Sequence, residues 1–359
     1  MSTGYVHHPA FLTHDAGPSH PESPDRLRAI MGRLGSGGIA DRLTSVEARP
    51  ATRLELLAVH DDTYLEELEK MAGQGGGWLD ADTHVSPGSW KAALYAAGGS
   101  VAAVEAVMEG RVSHCMVLAR PPGHHAFRNR GSGFCLLNNV AIAATAARRK
   151  YGLNRVAIID FDVHHGNGTQ AIFEGDHGAY YVSTHQYPHY PGTGGLGGVD
   201  SYQFPLSNQS ERSTMNYKLS TPLNIPLPSA CGDKEYLRVF DEIILPAVRR
   251  FNPGLILVSA GYDGHWADPL AGMNLPVSGF AAMVGRIKNL AEDLCGGRLV
   301  LCLEGGYHLE ALAASVAATF QILLGDSQID DPLDPPPDRL KASPDISTLI
   351  ADLKNIHYL

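Results

Sequence analysis

Five short segments of the chain combine histidine, aspartate, glycine and tyrosine in patterns suited to holding a metal ion and moving protons. They read RPPGHH (120–125), DFDVHHGNG (160–168), STHQY (183–187), AGYDGHWADP (260–269) and EGGY (304–307). Carboxylates and imidazoles are ligands of Zn²⁺, and an imidazole exchanges protons near neutral pH. Each segment follows an apolar run typical of a buried strand, and ligands of parallel sheets bind where the strands end. The segments therefore predict one site at one edge of a sheet.

The segment that begins at residue 160 supplies the first candidate metal ligands. Side chains alternate between faces along an extended chain, so Asp160, Asp162 and His164 point the same way. Asp162 and His164 are expected to bind zinc with Asp268 as the third ligand, which leaves one position open for water or substrate. The alternative is that the two aspartates cap the following helix and His164 packs in the core.

The adjacent histidines of the RPPGHH segment are candidates for proton transfer, because two prolines and a glycine fix their backbone. Asp160 and Asn167 are available as partners for their far nitrogens. If His124 pairs with Asp160 and His125 with Asn167, the carboxylate favours a charged His124 while the amide leaves His125 closer to neutral. The alternative is a polar loop with surface histidines.

Tyr307 of the EGGY segment is a candidate oxyanion donor. The two preceding glycines allow a sharp turn and a close approach to a ligand, which would bring the phenol over the site. The alternative is an ordinary core tyrosine at a helix start.

The elements that must position these residues alternate along the chain. The predicted strands are Cys115–Ala119, Val156–Phe161, Ala179–Thr184, Leu255–Ala260 and Leu299–Leu303. The predicted helices are Pro24–Leu34, Arg53–Ala72, Ser89–Met108, Asn138–Tyr151, Lys234–Phe251, Ser278–Leu294 and Leu309–Leu324. This order predicts an α/β fold with a doubly wound parallel sheet. Residues 1–325 are expected to form one catalytic domain with a long loop at 192–221. Residues 326–359 are expected to form an extension that docks back on the domain.

Composition excludes several classes of protein. The chain carries 28 basic and 38 acidic side chains, a net charge of −10, which argues against a nucleic-acid partner. No apolar stretch reaches the roughly 18 residues of a membrane span, and the start has no signal-peptide pattern. The five cysteines form no CxxC pair and are expected to be buried free thiols of a reducing compartment. The expected location is the cytoplasm.

In this order, RPPGHH, GFCLLNN, DFDVHHGNGT, SAGYDGHWADPL and LEGGY resemble the zinc-dependent histone deacetylase and acetylpolyamine amidohydrolase family, most closely its bacterial class II-like deacetylases. The resemblance covers roughly residues 5–325. It implies the arginase-like three-layer α/β fold, with a central, mostly parallel eight-stranded sheet flanked by helices. It also implies one Zn²⁺ per chain, a structural K⁺ and hydrolysis of acyl-lysine-type amides.

The resemblance assigns roles by position. The catalytic residues would be His125 as general base, His124 as its charged companion, Asp160 and Asn167 behind the two imidazoles, and Tyr307 as oxyanion donor. The zinc ligands would be Asp162, His164 and Asp268. The tunnel, its rim and the acetate pocket would be formed by Phe134, Tyr190, Leu275, Asp82, Gly306 and Arg26. The K⁺ would be held by the Asp160 and Ser183 side chains and by backbone carbonyls of Asp162, His164 and Thr184.

Several functions share this core. Leu270 stands where polyamine-specific relatives can carry a gatekeeper glutamate, which favours acyl-lysine substrates but leaves acetylpolyamines and other small acyl amides or esters open. A binuclear manganese ureohydrolase would need further carboxylates, and a non-catalytic acyl-lysine binder would not need Tyr307. Hydroxamate-type inhibitors are expected to bind, and the sequence leaves a homo-oligomer open.

Overall fold

A single parallel sheet organises the computed structural model, which describes residues 2–196, 222–333, 336–337 and 343–359. Its strands are β1 (Thr3–Val6), β2 (Thr44–Ser45), β5 (His114–Val117), β6 (Val156–Asp160), β7 (Ala179–Gln186), β8 (Leu223–Leu227), β9 (Ile256–Ala260) and β10 (Leu299–Leu303). They lie in the order β2-β1-β5-β10-β9-β6-β7-β8, and every pairing is parallel. A separate antiparallel hairpin is formed by β3 (Gly77–Trp78) and β4 (His84–Val85). The expected eight-stranded α/β architecture is confirmed.

Helices cover the sheet. They are α1 (Asp25–Ser36), α2 (Arg53–Leu57), α3 (Asp62–Gly73), α4 (Ser89–Met108), α5 (Asn139–Tyr151), α6 (Asn167–Phe173), α7 (Asp233–Val239), α8 (Leu245–Phe251), α9 (Val277–Cys295), α10 (Leu309–Leu324) and α11 (Ser347–His357). Short 3₁₀ turns span Pro9–Thr13 and Ala40–Arg42, and a π turn, Phe240–Ile244, joins α7 to α8. The helix α10 packs on both α1 and α9, and α4 packs on α5. Because the central strands β5, β6, β9 and β10 are buried at every residue, they read as continuous apolar runs.

The predicted helix Arg53–Ala72 is wrong in one respect, because the structure divides it into α2 and α3. The buried side chain of His60 lies at the break. The Nδ1 atom of His60 lies 2.9 Å from the Phe127 carbonyl oxygen, and its Nε2 accepts a hydrogen bond from the backbone N–H of Asn138 at 3.0 Å. These contacts turn the chain inward, so the helix ends and restarts.

The segment after residue 325 contacts the body of the protein through α11. Arg238 Nη1 donates to Ser347 Oγ at 3.0 Å, and Arg250 Nη1 donates to the Tyr358 carbonyl at 2.9 Å. Lys354 pairs with Glu242 of the π turn. Of the expected long loop at 192–221, residues 197–221 lie outside the described part of the chain.

The sheet order gathers the polar segments. The strands β5, β10, β9, β6 and β7 are consecutive neighbours, and each of the five segments identified in the sequence lies at or just beyond the carboxyl end of one of them. All five cysteines are free and buried, as predicted. Within the described residues, none of the helices combines the length and apolarity needed to cross a membrane.

Candidate active site

Three ligand-type side chains converge where β6 and β9 end. Asp162, His164 and Asp263 are buried, and each offers a ligand atom within 4.8 Å of the other two. His164 Nδ1 lies 3.1 Å from Asp162 Oδ1 and 3.2 Å from Asp263 Oδ2. Asp162 and His164 are the ligands expected from the sequence, and Asp263 is a residue that sequence reasoning missed.

This group has the chemistry of a zinc site. Asp263 Oδ2 is buried and has no hydrogen-bond partner of acceptable geometry. Two oxygens and one nitrogen match the ligand preference of Zn²⁺, and bonds of 2.0–2.2 Å in a tetrahedron hold neighbouring ligand atoms about 3.3–3.6 Å apart. The observed separations from His164 Nδ1, 3.1 and 3.2 Å, lie just below that range. The residues therefore fit the metal that the sequence resemblance implies.

Asp268 is not part of this group, so its expected role as third ligand is wrong. Its Oδ2 accepts hydrogen bonds from the backbone N–H groups of Tyr307 at 2.6 Å and His308 at 3.1 Å. Its Oδ1 accepts one from the Leu270 N–H at 3.0 Å. Burial and the neighbouring Asp263 raise the pKa of Asp268 to about 7. The carboxylate of Asp268 is thus occupied by backbone donors, while the carboxylate of Asp263 is not.

The paired imidazoles have unequal partners. His124 Nδ1 lies 3.1 Å from Asp160 Oδ2, which also accepts from the Tyr181 hydroxyl at 2.9 Å. His125 Nδ1 lies 2.9 Å from Asn167 Oδ1. Both pairings are those considered in the sequence.

The charges around the two rings separate their pKa values. Burial opposes charge on His124, but the carboxylates of Asp162 and Asp160 outweigh it and raise the pKa of His124 to about 10. Burial and the charges of His124 and His164 hold the pKa of His125 well below its ordinary value. The two ring centroids are 4.0 Å apart, so one charged and one neutral imidazole lie side by side.

A tightly anchored turn carries Tyr307 from the end of β10 to the start of α10. The Gly305 N–H donates to Asp162 Oδ2 at 2.8 Å. Arg26 Nε donates to the Gly306 carbonyl at 2.7 Å, and the Arg26 guanidinium lies 5.0 Å from the Tyr307 ring centroid. Gly306 has a φ of +117°, which a residue with a side chain rarely adopts. The enclosure of the Tyr307 phenol raises its pKa well above the ordinary value, so the phenol keeps its proton.

A second group of ligand-type side chains, His124, Cys135 and Glu304, is less suited to a metal. Glu304 Oε2 accepts from the Gly123 N–H at 2.6 Å, and its Oε1 accepts from the Ser259 hydroxyl at 3.0 Å. Burial holds the pKa of the Cys135 thiol well above its usual range. Both oxygens of the Glu304 carboxylate already accept hydrogen bonds, and the Cys135 thiol is protonated. This group therefore holds the segment that carries His124 in place.

Two aromatic side chains flank the approach to the imidazoles. The Phe134 ring meets Tyr307 edge-on at 5.8 Å, and the Tyr190 ring meets His125 edge-on at 5.2 Å. Tyr190 is 41% exposed, so this wall opens to solvent. Asp82 lies on the β3–β4 hairpin, and the neighbouring Thr83 hydroxyl accepts from the Phe134 N–H at 3.1 Å. Phe134, Tyr190 and the hairpin that carries Asp82 therefore lie on the same side of the paired imidazoles and Tyr307, and their role as tunnel residues stays a prediction.

Leu275 does not lie at this entrance, and its expected place near the rim is wrong. It has no exposed surface, and its N–H donates to the Gly264 carbonyl because the chain folds back after Leu270. Leu270 is the better-placed residue, since its carbonyl lies 2.9 Å from His189 Nε2. The His189 ring in turn stacks on His164 at 5.3 Å. His189 was not predicted to line the site, whereas Leu270 was expected at the gatekeeper position.

The residues expected to hold K⁺ surround the start of the DFDVHH segment. Asp160 and Ser183 are register partners of β6 and β7. Ser183 Oγ lies 2.8 Å from His185 Nδ1, and the buried Thr184 hydroxyl has no hydrogen-bond partner.

A buried ion network lies behind the Tyr307 turn. Both carboxylate oxygens of Glu22 pair with Arg120, and Glu22 also lies 3.3 Å from Arg26 Nη1 and 3.3 Å from His14 Nε2. Glu22, Arg26 and Arg120 have no exposed surface. The network links the N-terminal segment to the turn through the Arg26 bond to Gly306.

The structure combines a fully parallel eight-stranded sheet, flanked by helices, with a carboxylate–imidazole group and paired histidines at one edge. This is the architecture of hydrolases with the arginase/deacetylase fold. The histone deacetylase domain model matches residues 20–323. The solved histone deacetylase domain of HDA15 superposes with a TM-score of 0.83 at 34% identity, covering 99% of this chain and 95% of that one.

Two sequence relatives agree with the structural match. A probable deacetylase of Archaeoglobus fulgidus is 41% identical over 86% of this chain and 82% of its own. The human polyamine deacetylase HDAC10 is 36% identical over 91% of this chain and 48% of its own. The chain belongs to the histone deacetylase family and is a hydrolytic deacetylase.

The Glu22 network generates a stability prediction. Replacing Glu22→Gln removes the negative charge that balances buried Arg120 and Arg26, and we expect a loss of about 3–5 kcal/mol in the free energy of unfolding at pH 7. Burial disfavours ionised Glu22, but Arg120 and His14 outweigh it and hold its pKa well below its ordinary 4.5. The charge therefore stabilises the fold above pH 4.5, and this contribution is lost as the pH falls below it. Urea unfolding between pH 3 and 8 should show the difference in free energy of unfolding between wild type and Glu22→Gln becoming smaller as the pH falls. A difference that does not depend on pH would contradict the stabilising role of the Glu22 charge.

Proposed function

We propose that this protein is a zinc-dependent deacetylase that removes acetyl or other acyl groups from acyl-lysine-type amides by activating water. The observation that carries the proposal is the convergence of Asp162, His164 and Asp263 beside the unequal imidazole pair. Asp162, His164 and Asp263 would hold the metal. Zinc bound there would supply Lewis-acid chemistry, activating water and polarising the acyl carbonyl.

His125 is the general base. Its Nδ1 donates to Asn167 Oδ1, which leaves the lone pair of Nε2 free to accept a proton from the attacking water. Its lowered pKa keeps that nitrogen unprotonated before the reaction. The proton then passes from Nε2 to the departing amine as the carbon–nitrogen bond breaks, and the acid product leaves.

His124 and Tyr307 stabilise the negative charge that develops on the acyl oxygen during water attack. His124 stays charged because Asp160 accepts a hydrogen bond from its Nδ1, and the fixed positive charge lies beside the base. The Tyr307 phenol keeps its proton and donates it as a hydrogen bond to the developing oxyanion.

The entrance favours an extended, uncharged acyl-lysine stem. Phe134 and Tyr190 present aromatic surface on two sides, and apolar burial selects a methylene chain over a charged one. Leu270 adds no negative charge that would attract a polyamine. Hydrolysis of acetylpolyamines is the second candidate, supported by the similarity to the human polyamine deacetylase.

A structural K⁺ and a cytoplasmic location complete the proposal. Asp160 and Ser183 lie side by side on β6 and β7, as an ion shared between their side chains requires. The five free, buried cysteines are typical of a reducing compartment.

Metal content tests the ligand assignment. We expect one equivalent of zinc per wild-type chain and loss of that zinc in Asp263→Ala, because one of the three protein ligands is removed. The measurement is elemental analysis after dialysis, together with the affinity for a hydroxamate, which should fall in parallel. Two equivalents of metal per chain, or an Asp263→Ala protein that retains its zinc, would refute the site as described.

Tyr307→Phe tests the oxyanion donor. Because the change removes only a hydroxyl, we expect kcat to fall about 10²–10³-fold with zinc content unchanged. Steady-state kinetics with a fluorogenic acetyl-lysine substrate give the value. A near wild-type rate with intact metal would mean that Tyr307 has another role.

A substrate panel distinguishes the two candidate functions. Acetyl-lysine peptides, longer acyl-lysines and N-acetylated polyamines are compared by kcat/KM with the zinc enzyme. We expect the peptides to exceed the polyamines, because the described entrance offers aromatic surface and Leu270 in place of a carboxylate. Leu270→Glu should shift the preference toward acetylpolyamines, and a wild-type preference for polyamines would overturn the choice.

A further inference from the structure

Asp268 has a buried carboxylate whose contacts are all to backbone donors. The residue is 6% exposed, and both of its oxygens are engaged. Oδ2 accepts from two consecutive N–H groups, those of Tyr307 at 2.6 Å and His308 at 3.1 Å. These donors precede the first turn of α10, a helix of 16 residues whose N-cap is His308.

Helix geometry explains why a carboxylate is stable in this position. N–H groups at the start of a helix have no partner within the helix, and the helix dipole favours negative charge there. Asp268 therefore satisfies donors that would otherwise be buried without partners. It also fixes the peptide plane that precedes the Tyr307 Cα.

The second oxygen connects this turn to the wall of the entrance. Asp268 Oδ1 accepts from the Leu270 N–H, and the Leu270 carbonyl lies 2.9 Å from Nε2 of His189, whose ring stacks on His164. One carboxylate thus joins the segment that carries Tyr307 to the segment beside Tyr190. A displacement of either segment would be transmitted through Asp268.

We propose that Asp268 is a positioning residue for the deacetylation reaction: it holds the Tyr307 backbone so that the phenol meets the developing oxyanion. The inference rests on the proposed function, because it assigns the oxyanion role to Tyr307. Asp268 itself touches neither substrate nor metal. Its removal leaves Asp162, His164 and Asp263 in place, whereas a ligand role would require loss of zinc.

The first experiment is a double-mutant cycle in the zinc enzyme. Asp268→Ala should lower kcat roughly 10- to 100-fold, since a displacement of about 1 Å is sufficient for such a loss. The KM and the zinc content should change less than threefold. In a Tyr307→Phe background, Asp268→Ala should add less than a threefold further loss, because the group through which it acts is already absent. Asp268→Asn keeps one oxygen acceptor for the Tyr307 N–H and should recover most of the activity.

The matched control is Asp176→Ala. Asp176 also accepts a backbone N–H, that of Gly178 at 2.8 Å, but it precedes β7 at the opposite edge of the sheet. This variant should lose stability without a change in kcat. An equal fall in kcat in both variants would mean that Asp268 acts through the stability of the fold.

A readout that does not depend on activity or on zinc separates this inference from the proposed function. Amide hydrogen exchange of the metal-free protein should accelerate at residues 304–311 in Asp268→Ala and not in Asp176→Ala. If wild-type protein hydrolyses no acyl-lysine substrate, the proposed function fails, while the exchange pattern still decides whether Asp268 fixes the turn. Unchanged exchange, loss of zinc, or a full additional loss of kcat in the Tyr307→Phe background would each overturn the proposal.

Discussion

Mutual repulsion among buried carboxylates is the constraint on which this structure depends. Five of them lie at the carboxyl edge of the sheet: Asp160, Asp162, Asp263, Asp268 and Glu304. Burial and neighbouring charge raise the pKa of Asp268 and of Glu304 to about 7. Such a group is stable only when each oxygen finds a donor or a cation. The arrangement of donors therefore decides what each carboxylate does.

Hydrogen-bond donors are distributed unequally among these carboxylates. Three of them, whose oxygens all accept hydrogen bonds, hold the structure in place, and the one with an oxygen left over can bind a cation. Asp160 accepts from an imidazole, a phenol and one backbone N–H, Glu304 from a serine hydroxyl and backbone N–H groups, and Asp268 from backbone N–H groups. One oxygen of Asp263 is left without a hydrogen bond and faces His164. Glycines make this density attainable, because a Cβ at Gly305 would lie 2.0 Å from Asp263 Oδ2. Gly305 is thus required because no space exists for a Cβ, and Gly306 is required for the turn that carries Tyr307.

Much of the site could be predicted because its residues directly follow buried strands. Val, Ile and Leu runs identify β5, β6, β7, β9 and β10, and the parallel sheet brings their ends together. The strands β1, β2 and β8, which lie toward the two ends of the sheet, were not predicted, since they are short or, as with Pro226 in β8, contain a residue unfavourable for strands. Asp263 was missed although a signal existed: it follows the end of β9 by three residues, much as Asp162 follows β6 by two. Sequence alone does not show that the chain reverses after Leu270 and buries Leu275.

The contrast between Asp263 and Asp268 shows how environment assigns roles to identical side chains in one segment. Asp268 meets the start of a helix, where unpartnered N–H groups fill its lone pairs, so it has little left to offer a cation. Asp263 meets another carboxylate and an imidazole, so a cation is the partner its free oxygen lacks.

The same reasoning extends to Tyr307. Burial, with the charges of Asp263, Asp162 and Glu22, raises the pKa of the phenol, and the guanidinium of Arg26, 5.0 Å from the ring, opposes this rise. The phenol therefore keeps its proton. The buried charge of Arg26 is offset by Glu22, a carboxylate that it shares with Arg120, and by the carbonyl oxygens of Gly306 and Glu304. The position of the Tyr307 phenol, on which its proposed role depends, is thus coupled through Arg26 to an ion network behind the turn.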